Sequence, residues 1–271
     1  MPTLGLGELL RMFAGARSMA VIGNADTILD YENGARIDSY DIVVRFNRAY
    51  VDGVEGKVGR RTDILVANRM FSLRKTASPA ETIRPRCVVS FVEPSHGIEL
   101  GAFEEWTGDL PTIVTLAPDL LNATQVERTR PVTMGTDALY TFVNLFDLER
   151  LYVSGFTFYG AAGSGPGVYW KEKPKPRGVF HDLEPEARIF ASILERFPGE
   201  IEATSEVEEL RRRYGSAAPE GGASPGSPLM EHLYTRAAWS LISLGMVMRR
   251  AAERRRRGRF TRALGASRRH R

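Results

Sequence analysis

The chain has 271 residues, 43% hydrophobic and 26% charged, with a net charge of +4, an ordinary globular composition with enough apolar content for a core. A single cysteine, Cys87, rules out an internal disulfide, and the four histidines, His96, His181, His232 and His270, stand too far apart for a zinc spacing. No run of about 18 uncharged apolar residues occurs, and the first ten residues lack the basic and apolar regions of a secretory signal, which predicts a cytoplasmic protein.

In chain order, helical periodicity over 7–15 is followed by a strand at 19–23 (MAVIG) and a second at 42–46 (IVVRF). Further apolar runs predict strands at 63–67, 87–91, 112–116 and 150–156, with helices over 136–146 and 185–197, the latter with Pro185 in its first turn. Six strands interleaved with helices imply an α/β fold with a mostly parallel sheet, and a ligand beyond the carboxyl ends of the strands. The globular body is predicted to span 1–213. A flexible linker follows at 214–228, rich in Gly, Ser, Pro and Ala. The tail, 229–271, sets an apolar stretch at 239–248 beside an arginine cluster at 249–257. Residues 230–271 hold twelve arginines against two glutamates, so the body is mildly acidic and the tail strongly basic. Such a tail fits an anionic membrane surface, with a nucleic-acid contact or a solvated end as the other readings; the acidic body argues against nucleic acid.

Two places carry chemistry-bearing residues. After the strand at 19–23, Gly23 would let a ligand approach the backbone and Asn24 could donate from its amide, although the same pair also suits a plain tight turn. No glycine follows until Gly34, so GxGxxG is absent and a nicotinamide cofactor is disfavoured. Arg45 and Asn47, two apart on a strand, share a face and could meet one ligand; alternatively Arg45 pairs with Asp38 or Asp41 in a structural network.

Taken together, Val21-Ile-Gly-Asn24, Gly34, Ile37-Asp38, Tyr40-Asp41, Val44-Arg-Phe-Asn47 and Val58-Gly-Arg-Arg-Thr-Asp63 resemble the long sialyl motif of glycosyltransferase family 29. Pro131-Val-Thr-Met-Gly-Thr-Asp-Ala-Leu139 with Leu151-Tyr-Val-Ser-Gly-Phe156 is similar to the short motif, and His181-Asp-Leu-Glu-Pro-Glu186 to the very short one. The span runs from about 19 to 190. The sequence departs from the family in its single cysteine, in showing no stretch long and apolar enough for the expected membrane anchor, in Val168-Tyr-Trp170 where a His/Tyr-Tyr pair is common, and in Met134 at a position that often holds a hydroxyl.

The resemblance implies a variant GT-A, Rossmann-like fold and an inverting, metal-independent transfer of sialic acid or a related ulosonic acid from a CMP-sugar to a glycan or glycolipid hydroxyl, with no cofactor. His181 is the expected base, oriented by Asp182 and Glu186. Asn24, Asn47 and the Tyr169 hydroxyl, with backbone amides at Gly23 and Gly135, are expected to stabilise the leaving phosphate. Thr133, Met134 and Gly135 would meet the donor sugar, and Gly155 and Phe156 the nucleotide, with Arg45 in support. Phe156 reads equally as core. The alternatives are a CMP-Kdo transferase for envelope polysaccharide and a non-catalytic nucleotide- or glycan-binding module. The enzyme would be soluble or peripheral at the inner face of the cell membrane.

Overall fold

The computed structural model describes residues 5–68, 78–92, 101–124, 126–158 and 181–215. Tyr169, most of the linker and the whole basic tail lie outside the described residues. Within them, the elements run α1 (Leu6–Met12), β1 (Ser18–Ile22), a 3-10 turn (Asp26–Asp30), α2 (Gly34–Asp38), β2 (Ile42–Phe46), α3 (Glu55–Val58), β3 (Ile64–Val66), α4 (Pro79–Thr82) and β4 (Cys87–Val92). Then come α5 (Gly101–Thr107), β5 (Thr112–Leu116), α6 (Leu120–Thr124), α7 (Met134–Leu145), β6 (Arg150–Ser154), α8 (Leu183–Glu195), β7 (Glu200–Ala203) and α9 (Ser205–Tyr214).

The seven strands form one sheet in the order β5-β4-β3-β2-β1-β6-β7, with every pairing parallel. Parallel strands need crossovers that cover both faces, which is why β1 to β4 are buried along their whole length and read as unbroken apolar runs. On one face Val21, Val44, Val66, Val89, Ile113 and Val153 pack beneath α1, α7, α8 and α9. On the other, Ala20, Ile22, Val43 and Tyr152 meet Ile28, Ile37 and Val58, while Leu65, Val88 and Val114 meet Phe103.

β1 lies between β2, the next strand in sequence, and β6, which returns from the far half of the chain. The strand order reverses there. In open α/β sheets that switch point opens the crevice where ligands sit, outside the carboxyl ends of the strands. Ile22 pairs with Arg45 on one side and Ser154 on the other, so Gly23, Asn47 and Gly155 all begin the turns that rim it.

The six expected strands all form. β7 is an addition, a short edge strand whose alternating glutamates in Glu200-Ile-Glu-Ala203 give little apolar signal. α1 ends at Met12 rather than 15, and α9 keeps Tyr214 buried in the core, one residue past the expected end of the body.

Candidate functional site

The rim is built by backbone contact before any side chain enters. Gly23 N–H donates to the Ser154 carbonyl at 2.7 Å and Ala25 N–H to the Gly155 carbonyl at 3.0 Å. A Cβ on Gly23 would lie 2.1 Å from the Gly155 oxygen, and Gly155, at φ 76°, would place its own Cβ 2.8 Å from the Gly23 oxygen. The two glycines are therefore required by each other. This corrects the expectation that Gly23 is bare so that a ligand can approach it, and its amide is not an open donor.

Asn24 uses one Nδ2 hydrogen on the Phe46 carbonyl at 3.1 Å, tying the end of β1 to the end of β2. Asn47 sits in the left-handed region at φ 57°, a conformation asparagine tolerates better than most residues. Its N–H donates to the Val66 carbonyl at 2.9 Å and its Oδ1 accepts from Asn68 N–H at 3.2 Å, neither of which engages its side-chain NH2.

Arg45 is not at the rim. Its side chain, 1% exposed, donates through Nε to the Arg61 carbonyl at 2.9 Å and through Nη2 to the Val58 carbonyl. The acids offered as its partners serve neighbours: Asp38 accepts from the N–H groups of Arg60 and Arg61, and Asp41 from those of Arg17 and Ser18. Arg61 donates in turn to the carbonyls of Asp38, Tyr40 and Asp41 and to the Asp63 carboxylate at 2.8 Å. The polar half of the long motif is thus a folding knot that holds α2, α3 and β2 together.

The second half of the rim comes from two helix N-termini. In a parallel crossover the helix preceding a strand starts at the carboxyl edge of the sheet, so α7 and α8 both begin beside the crevice. Gly135, in the first turn of α7, faces the Phe156 ring closely enough that a Cβ would lie 2.7 Å from it. Phe156 is core: it stacks on Phe190 of α8 at 4.8 Å and meets Phe46 edge-on at 5.9 Å. A nucleotide contact by its ring is therefore replaced by a packing role. Met134 also packs against the core, which accounts for an apolar residue at that position.

Glu186, 1% exposed, accepts through Oε1 from Thr133 N–H at 2.7 Å, Thr133 Oγ1 at 2.6 Å and Thr136 Oγ1 at 2.7 Å. Burial pushes its carboxyl up, against the lowering effect of those hydrogen bonds and of nearby His181. Asp182 accepts from Thr129 N–H at 2.6 Å and Oγ1 at 2.7 Å, which hold its carboxyl below the ordinary range, and it lies 3.9 Å from Arg130.

Neither carboxylate bonds to His181. They clamp the 129–133 segment from both ends, and that segment supplies the orienting group, because His181 Nδ1 lies 2.9 Å from the Pro131 carbonyl. A carbonyl only accepts, so Nδ1 carries the hydrogen and, in a neutral ring, the lone pair lies on Nε2. The expectation that Asp182 and Glu186 orient His181 is corrected to an indirect form.

Residues that sequence reasoning missed are Glu206, Tyr31 and Thr204, gathered behind Gly155. Thr204-Ser205-Glu206 reads as an ordinary acidic helix start, and nothing local marks it as touching the rim. Among the described residues no group of three His, Cys, Asp or Glu gathers as for a metal, and no helix is long and apolar enough to cross a membrane.

Residues 12–92 match the family model described as glycosyltransferase family 29 (sialyltransferase). Over 54 residues the chain is 46% identical to human β-galactoside α-2,6-sialyltransferase 2, covering 20% of this chain and 10% of that protein. Over 51 residues it is 43% identical to a β-1,6-galactosyltransferase of Arabidopsis thaliana, covering 19% and 13%. The match thus spans about a tenth of the length of these relatives. The crystal structure of a mammalian sialyltransferase aligns with a TM-score of 0.46 at 16% identity, covering 75% of this chain and 80% of that one.

Proposed function

From the match of residues 12–92 to the family model described as glycosyltransferase family 29 (sialyltransferase), we propose that the protein is an inverting, metal-independent glycosyltransferase of GT-A type. It moves sialic acid or a related ulosonic acid from a CMP-sugar to a glycan hydroxyl.

The observation that carries this reading is the His181–Pro131 hydrogen bond just ahead of α8. With Nδ1 held, Nε2 takes the proton of the acceptor hydroxyl as its oxygen attacks the anomeric carbon. The bond from that carbon to the CMP phosphate breaks, and the negative charge passes to the phosphate. Charge develops beside the first turn of α7, a twelve-residue helix whose N-terminal N–H groups and dipole favour an anion. The side-chain amides of Asn24 and Asn47 flank the same rim.

The segment's relatives are named for both sialyl and galactosyl transfer, so the donor is the first thing to measure. The purified chain is given CMP-sialic acid, CMP-Kdo or UDP-galactose with a panel of glycan acceptors, in the presence of chelator. Acceptor-dependent release of CMP is expected from one CMP-sugar, falling about 10²–10⁴-fold in His181→Ala, the range for removal of a general base. Release that needs a divalent cation, or that survives in His181→Ala, sinks the mechanism. Nucleotide binding without release from any donor favours the non-catalytic module.

A further inference from the structure

The carboxylate of Glu206 has no part in the chemistry above, yet the residue is 8% exposed and stands directly behind the rim. It occupies the first turn of α9, after the N-cap Thr204, where the helix dipole favours a negative charge. Its Oε1 accepts from Thr204 Oγ1 at 2.6 Å and from Gly155 N–H at 3.2 Å. Its Oε2 accepts from the Tyr31 hydroxyl at 3.1 Å, and that hydroxyl also contacts Ser205 Oγ at 2.5 Å and accepts from Ser205 N–H at 3.2 Å.

One carboxylate therefore joins three segments that are far apart in sequence: the end of the 3-10 turn, the β6 turn and the start of α9. Gly155 in turn carries Ala25 N–H on its carbonyl and presses on Gly23 with no room for a Cβ between them. A shift of Gly155 by a few tenths of an ångström cannot be absorbed at such a contact and passes to Gly23 and Asn24.

We propose that Glu206 is a positioning residue for the nucleotide: it sets the affinity of the crevice by fixing the Gly155 turn against the Gly23–Asn24 turn. The proposal rests on the reading that the crevice holds a nucleotide; Glu206 itself lies outside residues 12–92 and every motif named above.

The test is calorimetric titration of CMP into the full chain, which reads affinity without turnover, beside the transfer assay, which reads the proposed reaction. Glu206→Ala and Glu206→Asp, the latter keeping the charge but losing reach to Gly155, are each expected to weaken CMP about tenfold, the size of one lost hydrogen bond to a charged group. Glu206→Gln keeps an acceptor oxygen for Gly155 N–H and is expected to stay within about twofold of the parent by the same bond. With saturating donor, Glu206→Asp should raise KM for the donor by a larger factor than it lowers kcat. Should Glu206→Ala not fold, Glu206→Asp decides alone. Equal CMP affinity in Glu206→Asp and the parent overturns the proposal, and so does loss of affinity in Glu206→Gln equal to that in Glu206→Asp. Absence of CMP binding by the parent overturns it together with the nucleotide reading. CMP binding without transfer by the parent overturns the enzyme reading alone, and the variants then judge Glu206 by affinity.

Discussion

The polar residues of 38–63 and those of 129–136 with 181–186 both form hydrogen-bond networks, but the bonds do different work. In the first region Asp38, Arg45, Arg61 and Asp63 satisfy backbone groups of the loops around β2 and leave the motif turned inward. In the second, Asp182 and Glu186 hold a segment whose carbonyl faces a histidine, and the network ends on an atom able to take a proton. A motif match therefore says that residues are needed, and only the geometry says for what. The first region should fail as a fold and the second as a catalyst.

The largest effect expected on stability comes from Gly23→Ala. A Cβ 2.1 Å from the Gly155 oxygen forces two turns apart, and overpacking of that kind costs about 3 kcal/mol. Urea unfolding measures it, and a neutral result would mean that the turns separate freely. Arg61→Ala comes next, at about 2 kcal/mol by the same measurement, because the Asp63 carboxylate and three carbonyls lose a charged donor. Transfer per folded molecule should not change. An Arg61→Ala protein that unfolds normally but no longer transfers would break the division between the two regions.

The smallest effect is a change of slope. Burial raises the Glu186 carboxyl above its unfolded value, so the folded chain keeps a proton that the unfolded chain releases. That contribution is full below the ordinary glutamate range and is lost as pH rises through the folded value. Asp41 and Asp182, both held low by hydrogen bonds, act in the opposite direction, losing their contribution as pH falls. The difference in Tm between the parent and Glu186→Gln isolates the first effect. The parent should lose Tm relative to the variant as pH rises above the glutamate range, and parallel curves would remove the buried, proton-holding carboxyl.

Six strands were legible because parallel strands buried on both faces must be apolar throughout, a pattern that needs no partner to be seen, and α1, α7 and α8 showed through their helical periodicity. β7 and α9 were not. The edge strand carries glutamates, and α9 shows only Val207, Leu210 and Tyr214 among charges paired at i,i+3, such as Glu208–Arg211 and Glu209–Arg212. At the site, residue types were readable but their partners were not. Gly23 looked like a ligand contact because the backbone that fills its Cβ space comes from β6. Arg45 looked like an ion-pair donor because carbonyl acceptors leave no trace in sequence. His181 was singled out through its motif, whereas the Pro131 carbonyl that its Nδ1 meets belongs to a residue with no polar side chain.

The central place of β1 also sets how far the chain must travel to make the crevice. Met19 meets Ile42 across a short connection, but it meets Leu151 only after β3, β4 and β5 have been laid out on the other side. The entropy of closing a loop grows slowly with length, while the search for such non-local pairings slows folding steeply. The family-matched residues 12–92 contain β1 to β4 and their local pairings, yet only one wall of the crevice. The other wall comes from β6, α7 and α8, far on in the chain, so the part most easily recognised by its sequence holds a complete piece of sheet but only one side of the crevice.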